Sequence, residues 1–172
     1  MNSKKNNNLI FLNYSPELEK FLFWCQQLIA ESLGKTNKGF LPVVSNTPKD
    51  HHSLLQLYLE GPKDKIFNIF SVKKNSSEEI KIYNRTKIAG FLNKKKISKI
   101  KNAQNKALVK SFEKKNISFR EFKIKKMNEE TLGELFSFFM VETVIVGKLL
   151  GINPFNQPAV EQVKVLTKKF LK

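Results

Sequence analysis

Short apolar runs alternating with longer 3.6-residue patterns predict an α/β chain: strand and helix units around a mostly parallel sheet flanked by helices. Three observations carry that reading. The stretch 65–72 is almost continuously apolar, as a strand covered on both faces must be. Leu18, Phe21, Leu22, Cys25, Leu28, Ile29 and Ser32 form one stripe of a helix. No internal repeat or low-complexity linker divides the chain, so after a polar tail over residues 1–8 a single domain over 9–172 is expected.

In chain order, residues 9–13 read as a strand. Ser15 then reads as an N-cap with Pro16 at the first helical position, and Gly34 ends the helix. Residues 40–44 form a second strand, and a second helix is expected from Asp50 to Glu60, where Gly61 and Pro62 stop it. The strand at 65–72 follows. Residues 73–90 are polar and without clear period. From Asn93 a basic helix places Ile97, Ile100, Gln104, Ala107, Leu108 and Phe112 on one side, with most of its lysines solvated around the rest. Residues 117–124 alternate as an edge strand does. A buried helix is expected over 129–150, and a last helix from Pro158 to the C-terminus.

Composition limits the function classes. Of 172 residues 41% are hydrophobic, 15 of them Phe, which is enough for a sizeable core. The 31 Lys and Arg against 15 Asp and Glu give a net charge of +16, yet Arg85 and Arg120 are the only arginines. Sequence-specific nucleic-acid reading leans on bidentate Arg contacts and is not expected; the lysine excess reads as solvated charge. Cys25 is the only cysteine and lies among apolar neighbours. Neither a disulfide framework nor a cysteine metal site is expected, and the neighbouring His51 and His52 point in different directions on a helix, so no metal site is assigned. Residues 9–12 are too short for a signal-peptide core, and the run 135–150, broken by Glu142 and Lys148, falls short of the roughly 20 residues of a membrane span. A cytoplasmic chain without membrane contact is the expectation, and Glu142 is expected to be a satisfied interior carboxylate.

Ligands of open α/β sheets bind outside the carboxyl ends of the strands. The segment 46–52 and the turn 153–158 are the polar elements expected there. No glycine-rich dinucleotide loop, P-loop or nucleophile elbow is present. Glu31 lies off the apolar stripe, one turn from Gln27, so carboxylate and amide share a face. His52 falls in the first turn of its helix, near the positive end of the dipole. Lys164 sits on the last helix beside Val160 and Val163, with Glu161 three residues before it. On pattern alone these are also ordinary surface residues, and Lys164 with Glu161 an ordinary intrahelical ion pair.

Residues 147–164, reading Gly-Lys-Leu-Leu-Gly-Ile-Asn-Pro-Phe-Asn-Gln-Pro-Ala-Val-Glu-Gln-Val-Lys, closely resemble the C-terminal signature of the glucose-6-phosphate isomerase family. Two further blocks agree in order. Residues 26–35 resemble its Glu-Ser-x-Gly-Lys segment, and residues 50–57 resemble its histidine segment. The resemblance covers residues 9–171, but only the second of the family's two sugar-isomerase (SIS) domains. It implies a three-layer α/β/α SIS fold and interconversion of glucose 6-phosphate and fructose 6-phosphate without metal or organic cofactor. Glu31 matches the base that moves a proton between C2 and C1, His52 the ring-opening histidine, and Lys164 the lysine assisting at the ring oxygen. Gln27 and Gln157 match substrate-contacting amides. In the family the histidine reaches the site from a partner subunit, which implies a homodimer or a complex with the missing N-terminal SIS half.

The departures are Asn156 for the commoner Asp, Ala159 for Gly and His51 for Gln. The absent first domain would hold the phosphate and supply an arginine for the enediolate, so the chain by itself is expected to be short of both. Two other readings stay open: a non-catalytic phosphosugar-binding SIS module, and a basic surface for nonspecific polyanions, whose signature would be steep salt dependence.

Overall fold

The computed structural model describes residues 6–73, 80–83 and 87–172. Four strands, β1 (Asn8–Asn13), β2 (Leu41–Asn46), β3 (Lys65–Val72) and β4 (Phe119–Ile124), form one parallel sheet in the order β2-β1-β3-β4. The helices are α1 (Glu19–Leu33), α2 (Lys49–Ser53), α3 (Leu55–Glu60), α4 (Ile97–Lys114), α5 (Glu129–Leu150) and α6 (Pro158–Phe170). The period-2 alternation of side chains along each strand splits the core into two layers. Leu9, Phe11, Phe70 and Ile124 pack against α1 and α5 through Leu22, Cys25, Ile29 and Phe139. Ile10, Leu12, Phe67 and Ile69 pack on the opposite face against Tyr58 of α3 and Leu108 and Phe112 of α4. The α/β class expected from the sequence is the one found, and its layers are helix, sheet, helix.

This topology fixes which ends of the helices meet. Each helix that follows a parallel strand runs back against it. The carboxyl termini of α1 and α5, which share one face, therefore both lie at the amino edge of the sheet. The turn 153–158 follows α5 and sits at that amino edge, not at the carboxyl edge expected from the sequence. The expectation failed because the turn comes after a helix and not after a strand. The segment 46–52 does follow the carboxyl end of β2.

Other expectations shift locally. Ser15 precedes a 3₁₀ turn (Pro16–Leu18) with the extended backbone of a cap, but its hydroxyl makes no capping bond. Ser15 Oγ instead accepts the Val72 N–H at 2.8 Å, tying β3 to the start of α1. The helix expected from Asp50 to Glu60 is interrupted at Leu54 into α2 and α3. With only five residues, α2 lacks the long dipole the first-turn argument for His52 assumed. The basic helix begins at Ile97 rather than Asn93, with Leu108 and Phe112 buried but Ala107 exposed. The polar stretch 73–90 lies partly outside the described residues; within it, residues 80–82 pair antiparallel with the chain near Lys95.

The largest correction concerns α5, expected to be buried. Leu135, Phe139, Thr143 and Gly147 face the core, while Phe138, Val141, Ile145 and Leu149 are 45%, 58%, 52% and 81% exposed. An apolar sequence specifies a helix that wants covering on several sides; the sheet and α1 cover one. Every residue of α6 is also exposed, including Val160, Val163, Leu166 and Phe170 along one stripe. Among the described residues no helix is long and apolar enough to cross a membrane.

Candidate active site at the amino edge of the sheet

Glu31 stands in the last turn of α1, and its two carboxylate oxygens are held separately. Gln27, one turn earlier, donates from Nε2 to Oε1 at 3.0 Å, which is the shared face expected from the i, i+4 spacing. Gln157, 126 residues away at the N-cap of α6, donates from Nε2 to Oε2 at 2.6 Å. Each carboxylate oxygen has two acceptor directions, so Glu31 keeps a free lone pair on either oxygen. Two amides thus fix the orientation of the carboxylate.

The turn that carries Gln157 is built to stay in place. Gly151 caps α5 with φ 66°, a left-handed conformation that suits glycine, and Ile152 N–H returns to the Gly147 carbonyl at 3.0 Å. Asn153 Oδ1 accepts the Phe155 N–H at 2.9 Å. Pro154 packs directly on Gly147, where a Cβ would come within 3.1–3.4 Å of its ring. Two lysines just after α1 clamp the same turn: Lys35 Nζ donates to the Asn153 carbonyl at 2.7 Å, and Lys38 Nζ to the Leu150 carbonyl at 2.6 Å. Lys38 also places a cation at the negative end of the α5 dipole. The sequence reading gave these lysines no role. Lys35 already stood within the Glu-Ser-x-Gly-Lys block, but its acceptor is a backbone carbonyl, which no side-chain pattern reveals.

Lys164 is not joined to Glu31. Its Nζ pairs with Glu161 at 2.6 Å on the exposed face of α6, the intrahelical pair that spacing alone suggested. It lies seven residues beyond Gln157, two turns along the same side of the helix, or about 10 Å.

His52 belongs to the other edge. It follows β2 at the carboxyl end of the sheet and is exposed, while α1 carries Glu31 about 20 Å back toward the amino edge. Within one chain the two do not meet. The segment bearing His52 is anchored by buried polar contacts: Thr47 Oγ1 donates to the Asn13 carbonyl at 2.7 Å, Asn13 Nδ2 to Asn46 Oδ1 at 3.0 Å, and Asn46 Nδ2 to Glu19 Oε1 at 2.7 Å. The His51 ring is half-buried against Tyr14, with Nε2 2.6 Å from the phenol oxygen and the rings edge-on. Burial lowers the His51 pKa, with Asp50 opposing, and burial raises that of the Tyr14 phenol, so both are neutral near pH 7. His51 is a structural partner that turns its neighbour outward.

Glu142 has its partner in Arg120, whose guanidinium engages both carboxylate oxygens and donates from Nε to Asn68 Oδ1 at 3.0 Å. The carboxylate is satisfied as expected from the sequence, but it stands partly exposed at the surface of α5 and not in the interior. Cys25 is fully buried, and desolvation, with the charge of Glu142 adding to it, holds its thiol well above the ordinary range. Among the described residues no group of three or more His, Cys, Asp or Glu is placed to hold a metal ion.

No protein-family model matches the chain. It is 38% identical over 160 residues to glucose-6-phosphate isomerase of Mycoplasmopsis synoviae, covering 90% of this chain and 37% of that protein. With glucose-6-phosphate isomerase of Methanocaldococcus jannaschii it shares 34% identity over 168 residues, covering 95% and 40%. Among solved structures, a hypothetical protein from Thermus thermophilus superposes with a TM-score of 0.86 at 29% identity, over 96% of this chain and 41% of that one. A glucose-6-phosphate isomerase from Chlamydia trachomatis shares the fold, with a TM-score of 0.75 at 16% identity. The chain spans about two-fifths of the length of the curated relatives it matches. By sequence and by fold, it is a part-length relative of glucose-6-phosphate isomerase.

Proposed function

We propose that this chain supplies the proton-transfer half of a glucose-6-phosphate isomerase, corresponding to its second SIS domain, and works in a complex with the part it does not span. The observation that carries the proposal is the fixing of Glu31 by two amides from segments far apart in the chain. In this reading Glu31 removes the C2 proton of the open-chain aldose and returns it to C1, while Gln27 and Gln157 hold the carboxylate over both carbons. Lys164, on the same side of α6 as Gln157, releases Glu161 to stabilise charge at the ring oxygen. His52, held at the opposite edge of the sheet, serves the site of a second copy in a dimer. Phosphate binding falls to the absent portion, and the reaction needs no metal or organic cofactor. The setting is the cytoplasmic sugar-phosphate pool of glycolysis and gluconeogenesis.

The test is a coupled assay with fructose 6-phosphate on the chain alone, on the chain co-expressed with the remaining portion of a relative, and on Glu31→Gln in both settings. Isomerisation that Glu31→Gln abolishes supports the proposal. A folded complex that binds the sugar phosphate equally well before and after Glu31→Gln, and never isomerises it, replaces the proposal with a non-catalytic binding module.

A further inference from the structure

His52 carries its exposed ring on a helix too short to hold itself in place. α2 has five residues, none of them buried, and so brief a helix is not stable on its own backbone bonds. Contacts with the body of the protein must fix it. Behind α2, Thr47 is tied to the Asn13 carbonyl twice, by its N–H at 2.9 Å and by its hydroxyl at 2.7 Å. Ahead of it, Leu54 packs against the core layer of Ile10, Leu12 and Tyr58. Between these two points, the side-chain hydrogen bond that joins α2 to the rest of the described residues runs from His51 to Tyr14.

Tyr14 is a firm anchor. It is 4% exposed, it follows β1 directly, and its N–H is bonded to the Phe70 carbonyl of β3 at 2.9 Å. Its ring belongs to the same core layer as Ile69 and Phe112. The hydroxyl lies 2.6 Å from His51 Nε2, and the two rings meet at 87° with centroids 5.6 Å apart. A buried hydroxyl without a partner is costly, so the core holds the His51 ring as firmly as His51 holds the core. Successive residues of a helix point about 100° apart. With the His51 ring seated inward, the neighbouring His52 ring leaves the surface in a set direction.

We infer that Tyr14 and His51 are positioning residues for His52: their hydrogen bond sets the direction in which α2 presents the His52 ring to the site of a second copy. This rests on the functional reading above, in which His52 serves that second site. Neither Tyr14 nor His51 reaches substrate, and both lie at the carboxyl edge of the sheet. The chain in which their contact is broken keeps its own Glu31, held by Gln27 and Gln157 about 20 Å away at the amino edge. The damage therefore appears in the site of the other copy and not in its own.

The experiment co-expresses this chain with the portion of the Methanocaldococcus jannaschii isomerase outside the matched region and measures isomerisation of fructose 6-phosphate. Tyr14→Phe keeps the buried ring and removes the hydroxyl alone. It and His51→Ala are expected to lower kcat at least about tenfold while KM moves less than about twofold. His51→Gln, whose amide can donate to or accept from the phenol, is expected to stay within about threefold of the unaltered chain. Mixed dimers, isolated through two different affinity tags, then locate the damage. A copy with Glu31→Gln paired with a copy with Tyr14→Phe has one site that joins an intact Glu31 to a well-presented His52. About half the turnover of the unaltered dimer is expected to return, although each variant alone is impaired. An unaltered copy paired with one carrying both changes is expected to stay at least about tenfold down. A tyrosine that only supported its own fold would give the reverse pattern. That reverse pattern, or an unchanged kcat in Tyr14→Phe and His51→Ala, overturns this inference and leaves the functional reading standing. An assembly that isomerises with a single copy of this chain overturns it too, together with the assignment of His52 alone. No isomerisation by the unaltered assembly overturns the functional reading and this inference with it.

Discussion

Phe138 and Phe139 are neighbours of identical chemistry, and the structure assigns them opposite fates. Phe139 is fully buried and meets Phe11, Phe21, Phe70 and Phe122. Truncating such a side chain removes its transfer free energy and leaves a cavity between helix and sheet, together about 4 kcal/mol. Phe138 is 45% exposed, so Phe138→Ala forfeits about half of a transfer term of roughly 2 kcal/mol and leaves an opening that water fills. With a urea dependence of about 2 kcal/mol per molar, the midpoint falls by about 2 M for Phe139→Ala and by about 0.5 M for Phe138→Ala. Equilibrium urea unfolding followed by the fluorescence of the single Trp24 reads both. Equal shifts, or the larger one at Phe138, would refute the orientation of α5 and with it the exposed stripe over β4.

Gln157→Ala removes one of the two donors to Glu31 at the surface. Stability should change by less than about 0.5 kcal/mol, while isomerase turnover of the assembled enzyme falls at least about tenfold, compared by urea unfolding and coupled assay. Gly151→Ala forces a side chain into φ 66° and should cost about 1 kcal/mol in the same unfolding measurement. His51 has a folded-state pKa below its ordinary 6.5, so under acid the unfolded chain binds more protons than the folded one. Stability should therefore fall as pH drops from about 6.5 and level off below the folded-state value, and His51→Gln should flatten that decline in thermal melts run across pH. The buried Cys25 thiol should resist a thiol reagent at neutral pH until the chain is unfolded, in a spectrophotometric titration with and without denaturant.

What the sequence determined was direction relative to an element's own axis, wherever the period runs unbroken. The strand at 65–72 and the helix at 129–150 were readable to the residue, because their apolar periods and punctuating residues are local. The Gln27–Glu31 contact and the Glu161–Lys164 pair follow from one turn of helix. The family resemblance in three blocks attaches expected chemical roles to positions that periodicity leaves as ordinary surface. Tertiary structure alone decided what those directions face. A 3.6-residue period does not say how many sides of α5 find a neighbour, so Phe139 is sealed in and Phe138 is not. It also does not reveal that α1 and α5 end at the same edge of the sheet, which brings Gln157, Lys35 and Lys38 to their acceptors and sends His52 to the other end. These contacts join residues more than a hundred positions apart, through backbone carbonyls and the antiparallel return of helices across a parallel sheet. Their partners are chosen by the packing of layers, which comes into being only when the whole chain folds.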